Sequence, residues 1–201
     1  MDDKQRPGIG IDYDGTIADT NTIKAAWIRE NLGIKVPPWK TDRTMCVPII
    51  GLEQYERMSR VVYSPEMSMR APEVPGAASA IRVLSVKYRV YVVTARNNRQ
   101  IASCQAWLRE AGIAEYISGY LSSAERGPDG TRRSKGELAH RYGICVLVDD
   151  DERHLRGEEL AEFRRILLKH GCNEPLAVDA GIALASSWTD VLRLLGIEGG
   201  I

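Results

Sequence analysis

A chain of 201 residues, 44% apolar and 27% charged, has the composition of an ordinary globular protein able to bury a sizeable core. Lys plus Arg and Asp plus Glu each number 27, so the net charge is zero and there is no global basic field to draw nucleic acid. Met1–Arg6 leads into no apolar signal segment, no stretch of about 20 apolar residues could cross a membrane, and four scattered cysteines (Cys46, Cys104, Cys145, Cys172) form no C-x-x-C pair. Free thiols in a reducing cytoplasm are expected.

Ile9 and Ile11, set between Gly8 and Gly10, read as a short buried strand, and the glycines allow close approach of a neighbouring element. The strand runs into Asp12-Tyr13-Asp14-Gly15-Thr16. Thr20 or Asn21 is the expected N-cap of a helix carrying Ile23, Trp27, Ile28 and Leu32, which Asn31 and Gly33 close. Val36-Pro37-Pro38-Trp39 is a break, and a second helix is expected from Leu52 to Tyr63. Ser64-Pro65 ends it, and a Met-rich loop runs to Pro75-Gly76. Residues 18–72 are thus helical and without a strand, more than a βαβ crossover needs. They are expected to form a helical cap inserted after the first strand, with the core domain built from 1–17 and 73–201. The alternative is that they are the first crossover helices of the main domain.

From Val74 strands and helices alternate. Ala77 to Lys87 is helical, Arg89 to Val93 is a β-branched and aromatic strand ending at Thr94-Ala95-Arg96, and Asn97 caps the next helix, closed by Gly112. A third strand is expected at Ile117–Leu121, and a turn over residues 125–130. Ser134 and Glu137 form a capping box for a helix ended by Gly143. Ile144–Val148 is an unbroken apolar run suited to a strand covered on both faces, and it terminates in Asp149-Asp150-Asp151. A longer helix from Arg153 to His170, a fifth strand at Leu176–Val178 and a last helix from Ser187 to Leu195 complete the expectation. The pattern predicts an α/β protein: a three-layer Rossmann-like parallel sheet with helices on both faces, plus the small cap.

In such a sheet the strand ends carrying Asp12/Asp14, Thr94 and Asp149/Asp150 lie along one edge, where open α/β sheets hold their ligands. Asp12 and Asp14, at i and i+2, point the same way, and two close carboxylates ionise together only if something offsets their repulsion. Mg2+, which takes carboxylate and carbonyl oxygens, would offset it. A phosphoryl group there also needs hydrogen-bond donors and a compensating cation. Thr94 supplies a hydroxyl. Lys135 stands at the positive end of a helix, a small electrostatic misfit that favours an anionic partner. One of the three consecutive aspartates is expected to cap the following segment.

Asp12-Tyr13-Asp14-Gly15-Thr16 resembles the D-x-D-G-T signature of the haloacid dehalogenase (HAD) superfamily, most of whose members are phosphatases. Thr94 after Val92-Val93 is similar to its second motif, Lys135 to its third, and Val148-Asp149-Asp150 to its fourth. The resemblance implies that Asp12 is a nucleophile forming an aspartyl-phosphate and that Asp14 is the general acid, then the base for water. It implies that Thr94 and Lys135 hold the phosphoryl group. Asp12, the backbone carbonyl of Asp14, and Asp149 and Asp150 would surround Mg2+; which of Asp149, Asp150 and Asp151 binds directly stays open. The helical insertion lies where the family carries its C1 cap. Met69–Ala77, Tyr91–Arg96 and Val148-Asp149-Asp150 are similar to the 5'(3')-deoxyribonucleotidase-like branch.

The implied activity is that of a phosphoric monoester hydrolase acting on nucleoside monophosphates, with a small phosphorylated metabolite as the runner-up. Thr94, Ala95, Arg96 and Lys135 are the expected substrate-binding residues. Trp27, Trp39, Tyr55 and Tyr63 are either cap core or a stacking platform for a base. The expected partner is a small-molecule phosphate ester, with no membrane contact. Neutral charge argues against a nucleic-acid 3'-phosphatase, intact motifs argue against a non-catalytic binding protein, and a homodimer is left open.

Overall fold

The computed structural model describes residues 6–126 and 130–197. After β1 (Gly8–Ile11) the chain makes four helices: α1 (Thr20–Leu32), α2 (Arg43–Ile50), α3 (Leu52–Val62) and α4 (Pro65–Met69). Helix α5 (Ala77–Lys87) then leads to β2 (Arg89–Thr94), α6 (Asn98–Glu110), β3 (Ile117–Ser122), α7 (Lys135–Tyr142) and β4 (Ile144–Asp149). The chain ends in β5 (Arg164–Leu168), β6 (Ile182–Ala185) and α8 (Trp188–Leu194). The six strands form one parallel sheet ordered β3-β2-β1-β4-β5-β6, so β1 is central.

Strand alternation sorts side chains between two cores. Ile9, Ile11, Val90, Val92, Val146 and Val148 pack on one face with Ala80 and Ile81 of α5, Trp107 and Leu108 of α6, and Trp188 of α8. Tyr91, Val93, Leu147 and Leu167 pack on the other with Leu138 and Ala139 of α7, Leu155 and Phe163. Gly10 lies at the centre of this second layer. A Cβ there would stand 2.8 Å from Leu147 Cδ2 and 2.9 Å from Val93 Cγ2, on strands β4 and β2 either side. Gly10→Val should therefore overpack the sheet and destabilise the fold by about 1–3 kcal/mol, measured by urea denaturation. An unchanged midpoint would mean that the two neighbouring strands give way freely.

The segment from α1 to α4 has its own apolar cluster: Ile28, Val36, Cys46, Ile50, Tyr55, Met58 and Val62. Helix α3 supplies three of these on one face, with Tyr55, Met58 and Val62 buried. The chain leaves and returns side by side. Asp19 N–H donates to Pro72 O (2.7 Å), Val74 N–H donates to Ile17 O (2.8 Å), and Ala18 bridges Glu73.

Several local expectations change. The cap of α1 is Asp19, whose carboxylate accepts from Thr22 N–H at 2.9 Å, rather than Thr20 or Asn21, which lie inside the helix. Helix α2 forms where none was expected, because Asp42 caps it firmly enough to carry Pro48 within it. Ser64-Pro65 ends α3 and also starts α4, with Ser64 as N-cap and Pro65 in the first turn, where a missing N–H costs nothing.

The expected helix from Arg153 to His170 does not form. Two short 3-10 turns (Glu152–His154 and Glu158–Leu160) flank Gly157, whose φ is 125°. The remainder is β5, in which Ile166 and Leu168 face one core and Leu167 the other. The fifth strand expected at residues 176–178 is irregular chain, and β6 follows at Ile182–Ala185 instead. Within the expected 125–130 turn, residues 127–129 lie outside the described residues. The four cysteines are free. No helix among the described residues is long and apolar enough to cross a membrane.

Candidate active site

Strands β1 and β4 are hydrogen-bonded neighbours, Asp12 N–H donating to Val148 O at 2.9 Å, so their carboxyl ends arrive together. Oxygens of Asp12, Asp149 and Asp150 all lie within 4.8 Å of one another, and all three residues are buried. Lys135, the first residue of α7, reaches back across the sheet edge. Its Nζ donates to Asp12 Oδ1 at 2.6 Å and to Asp149 Oδ2 at 2.5 Å, with the side chain 4% exposed. The capping box between Ser134 and Glu137 fixes the start of α7 and hence the origin of this side chain.

The three successive aspartates take three different roles. Asp151 accepts from the Arg153 backbone and pairs with its guanidinium (2.7 Å), and it also accepts from Thr44 Oγ1. Asp149 receives Lys135 and lies 3.2 Å from His154 Nδ1. Asp150 has an amide partner: Asn21 Nδ2 donates to its Oδ2 at 2.8 Å. Gly15, at φ 77°, makes room for that contact. A Cβ at this position would collide with Asp150 Oδ2 and with Asn21 Nδ2. The Asp14-Gly15 pair is therefore a turn and also part of how the site is shaped.

Burial pushes the Asp12 carboxyl up to about 8; Lys135 opposes this, and the charges of Asp149, Asp150 and Asp14 add to it. Burial likewise raises Asp150 to about 6, although Lys24 and Lys169 pull it down. Burial also works against the charge of Asp149, but Lys135 and His154 outweigh it and hold that carboxyl well below the usual range. Two of the three clustered acids are thus poorly compensated by the protein itself. An all-oxygen set of buried carboxylates that resists full ionisation fits a hard dication such as Mg2+.

Asp14 lines the same cleft as Asp12 and Asp150 but has its own partner. Arg96 Nε and Nη2 donate to its two oxygens at 2.8 and 2.7 Å, a fork-to-fork pair, while Nη1 donates to Ser68 Oγ on α4 at 2.7 Å. Against the cost of burial, the Arg96 charge keeps Asp14 below its ordinary value. The pairing favours the form that takes a proton from water. Donating a proton to a leaving group requires Asp14 to be protonated first, which Arg96 opposes. Arg96, expected at the substrate, lines the cleft, is paired with Asp14 and is 2% exposed. Thr94 is buried at the end of β2, and its Oγ1 accepts the Arg96 N–H at 3.2 Å, the turn-forming role, leaving its own O–H to donate.

A cleft of about 530 Å³ opens over these groups, floored by Asp12, Asp14 and Asp150 and walled by Lys24, Arg43, Tyr55 and Tyr63 from the α1–α3 side. Ala95 and Arg96 line it, and so does Arg132. Among the four expected aromatics, Tyr55 and Tyr63 reach the cleft. Trp39 is buried and Trp27 packs on the α1–α3 apolar cluster. Asn21 and Lys24 are site residues that sequence reasoning missed. Their only local signal is a polar pair, three residues apart, on the buried side of α1 beside Thr20 and Ile28. A second missed pair, Lys169 and Asp42, is a buried salt bridge of 2.7 Å that ties the end of β5 to the N-cap of α2.

No protein-family model and no curated protein matches the sequence. Solved structures do match across almost the whole chain. A haloacid dehalogenase-like hydrolase from Streptococcus pneumoniae aligns with TM-score 0.61 at 16% identity, over 94% of this chain and 98% of that one. The HAD-hydrolase YfnB from Bacillus subtilis, bound to magnesium, aligns with TM-score 0.61 at 14% identity, over 96% and 99%. L-2-haloacid dehalogenase from Xanthobacter autotrophicus, with chloropropionic acid covalently bound, aligns with TM-score 0.59 at 10% identity, over 97% and 100%. With six parallel strands in this order and the acid cluster at their carboxyl ends, the chain has the fold of the HAD-superfamily hydrolases.

Proposed function

We propose that this protein is a Mg2+-dependent phosphomonoesterase that works through an aspartyl-phosphate on Asp12. The observation that carries the reading is the meeting of Asp12, Asp149 and Asp150 within 4.8 Å, with Lys135 bridging Asp12 and Asp149 and with Asp12 and Asp150 at the floor of a cleft. Asp12, Asp149 and Asp150 would hold the ion, with the backbone carbonyl of Asp14 beside them. When bound, Mg2+ neutralises the crowded carboxylates and the non-bridging oxygens of the phosphoryl group.

In this reading an Asp12 oxygen attacks phosphorus and the P–O bond to the leaving alcohol breaks. Lys135 steadies the charge on the phosphoryl oxygens, and Thr94 donates its hydroxyl proton to one of them. Asp14, in the minor protonated fraction that its pairing with Arg96 allows, gives that proton to the departing oxygen, and the carboxylate so formed takes a proton from the water that hydrolyses the acyl phosphate. Arg96 holds Asp14 in one orientation throughout. Residues 18–72 act as a cap that closes the cleft from above. The dehalogenase among the similar folds points to the other reaction a carboxylate nucleophile can perform, attack at a carbon bearing a halide. That reaction needs no cation and no proton for its leaving group, so the crowded acids and the placed Asp14 favour the phosphate ester.

Nucleoside monophosphates and small phosphorylated metabolites both fit a cleft of this volume. Stacking surface separates them. Arg43 lies over the Tyr55 ring (5.6 Å), and both Arg96 (5.1 Å) and Lys24 (5.5 Å) lie over Tyr63. These cations leave a base little open ring face, and the smaller metabolite is the better fit. A phosphate-release screen across nucleoside monophosphates, sugar phosphates, phosphorylated acids and a 3'-phosphorylated oligonucleotide, with and without Mg2+, tests both levels. No Mg2+-dependent release from any ester would remove the phosphatase reading. A clear preference for nucleotides would reverse the choice of substrate.

A further inference from the structure

All but one of the acids of the cleft and its surroundings are in ion pairs, Lys135 with both Asp12 and Asp149, Arg96 with Asp14, Arg153 with Asp151 and Lys169 with Asp42, and the exception is Asp150, held by the Asn21 amide. Among the described cleft residues, Lys24, Arg43 and Arg132 are the cations left without an ion pair. Arg132 is exposed to solvent. Lys24 is different: it is 2% exposed, lines the cleft and has no carboxylate within ion-pair distance, its Nζ donating to the neutral Asn21 Oδ1 at 3.0 Å and lying against Tyr63. Arg43, in the first turn of α2, has no hydrogen-bond acceptor and stands over the Tyr55 ring. A buried ammonium held by neutral acceptors has no direct counter-ion of its own. Burial works against the Lys24 charge, but Tyr63, Tyr55, Asp150 and Asp14 outweigh it and hold the ammonium well above the ordinary lysine range. If a dication takes over Asp150, that compensation is withdrawn from Lys24.

We propose that Lys24 and Arg43 form a second anion subsite on the α1–α3 wall of the cleft, so that the substrate is a phosphate ester carrying a carboxylate or a second phosphate. The proposal rests on the phosphatase reading and deepens it by naming the substrate class. The reacting phosphoryl group is met from the sheet side by Lys135 and Thr94. The two cations of the opposite wall are left for the other end of a short molecule. Such a site selects by charge: a neutral alcohol in the same place would leave Lys24 unanswered.

The test uses inert phosphonates, so that binding is read without turnover. Titration calorimetry in Mg2+ compares 3-phosphonopropionate with propylphosphonate, which match in length and differ at the far end. The carboxylate-bearing ligand should bind about ten- to a hundredfold tighter, the range of a hydrogen bond to a charged group. The preference should fall towards unity in Lys24→Met and in Arg43→Gln, and be largely kept in Lys24→Arg. A merely structural role for Lys24 would weaken both ligands alike and leave their ratio unchanged. Equal affinity in the wild type, or a preference that survives both neutral variants, overturns the subsite while leaving the phosphatase reading in place. Failure of both phosphonates to bind overturns both. Arg43→Gln, on the cleft wall and half-buried, keeps the question answerable should Lys24→Met fail to fold.

Discussion

Asp12→Asn should reduce phosphate-ester turnover by about 10,000-fold or more, the scale seen when a covalent nucleophile is removed. The substitution keeps shape and volume but replaces the attacking oxygen with an amide that cannot form the acyl phosphate. The fold should survive it. Lys135 Nζ retains Asp149 at 2.5 Å, and Asp12 is itself a strained participant, a buried carboxyl among three other acids. Loss of activity with an unchanged circular dichroism spectrum would therefore report chemistry and not unfolding. Mass spectrometry of acid-quenched wild-type enzyme should find a phosphoryl adduct on the peptide containing Asp12, absent from the variant. Turnover that persists in Asp12→Asn would transfer the nucleophile to water or to another acid. Among the clustered residues only Asp150 lacks a cationic hydrogen-bond partner, so it would be the next to substitute.

What could be read from the sequence were the groups that local rules place. Asp12, Thr94 and Asp149 sit at or just beyond the ends of short apolar strands, and a parallel sheet puts those ends together whatever the rest of the chain does. Lys135 follows a capping box, so its helix start was fixed within a residue. The hidden parts depend on distant partners. Nothing near Arg96 says that it will pair with Asp14, 82 positions away, and nothing near Lys24 says that its helix will lean over the sheet edge. The β5 segment Arg164–Leu168 is a short apolar run flanked by charges, which suits a strand or a buried helix equally. Pairing with β4 on one side and β6 on the other decides it. Helix α2 was obscured by Pro48, a breaker by composition that a well-capped helix packed on Cys46 and Ile50 nevertheless carries.

Mg2+ should stabilise the protein more at mildly alkaline than at acidic pH. Burial pushes Asp12 up to about 8 and Asp150 up to about 6, from 3.8 for an ordinary aspartate. Between the ordinary value and these raised ones, the folded protein keeps protons that the unfolded chain has released. Its stability without metal must then fall as pH rises through that window, by about 1.4 kcal/mol for each unit of displacement. Asp14, Asp149 and Asp151 have the opposite sign, being held below the ordinary value, and their contribution is lost only as pH drops beneath it. The metal-free optimum therefore lies on the acid side of neutrality. An ion that binds the ionised carboxylates competes with those retained protons, so its affinity rises over the same window. At a concentration one hundred times its dissociation constant the gain is about 2.7 kcal/mol, or roughly 5–10 °C in Tm for a chain of this length. Thermal scans at about pH 5 and about pH 8, with and without Mg2+, should give a small shift at the first and that larger shift at the second. Asp150→Asn removes one of the two raised carboxyls, and should both flatten the metal-free pH dependence and shrink the Mg2+ shift. A shift of equal size at both pH values would mean that the ion binds elsewhere, away from Asp12 and Asp150.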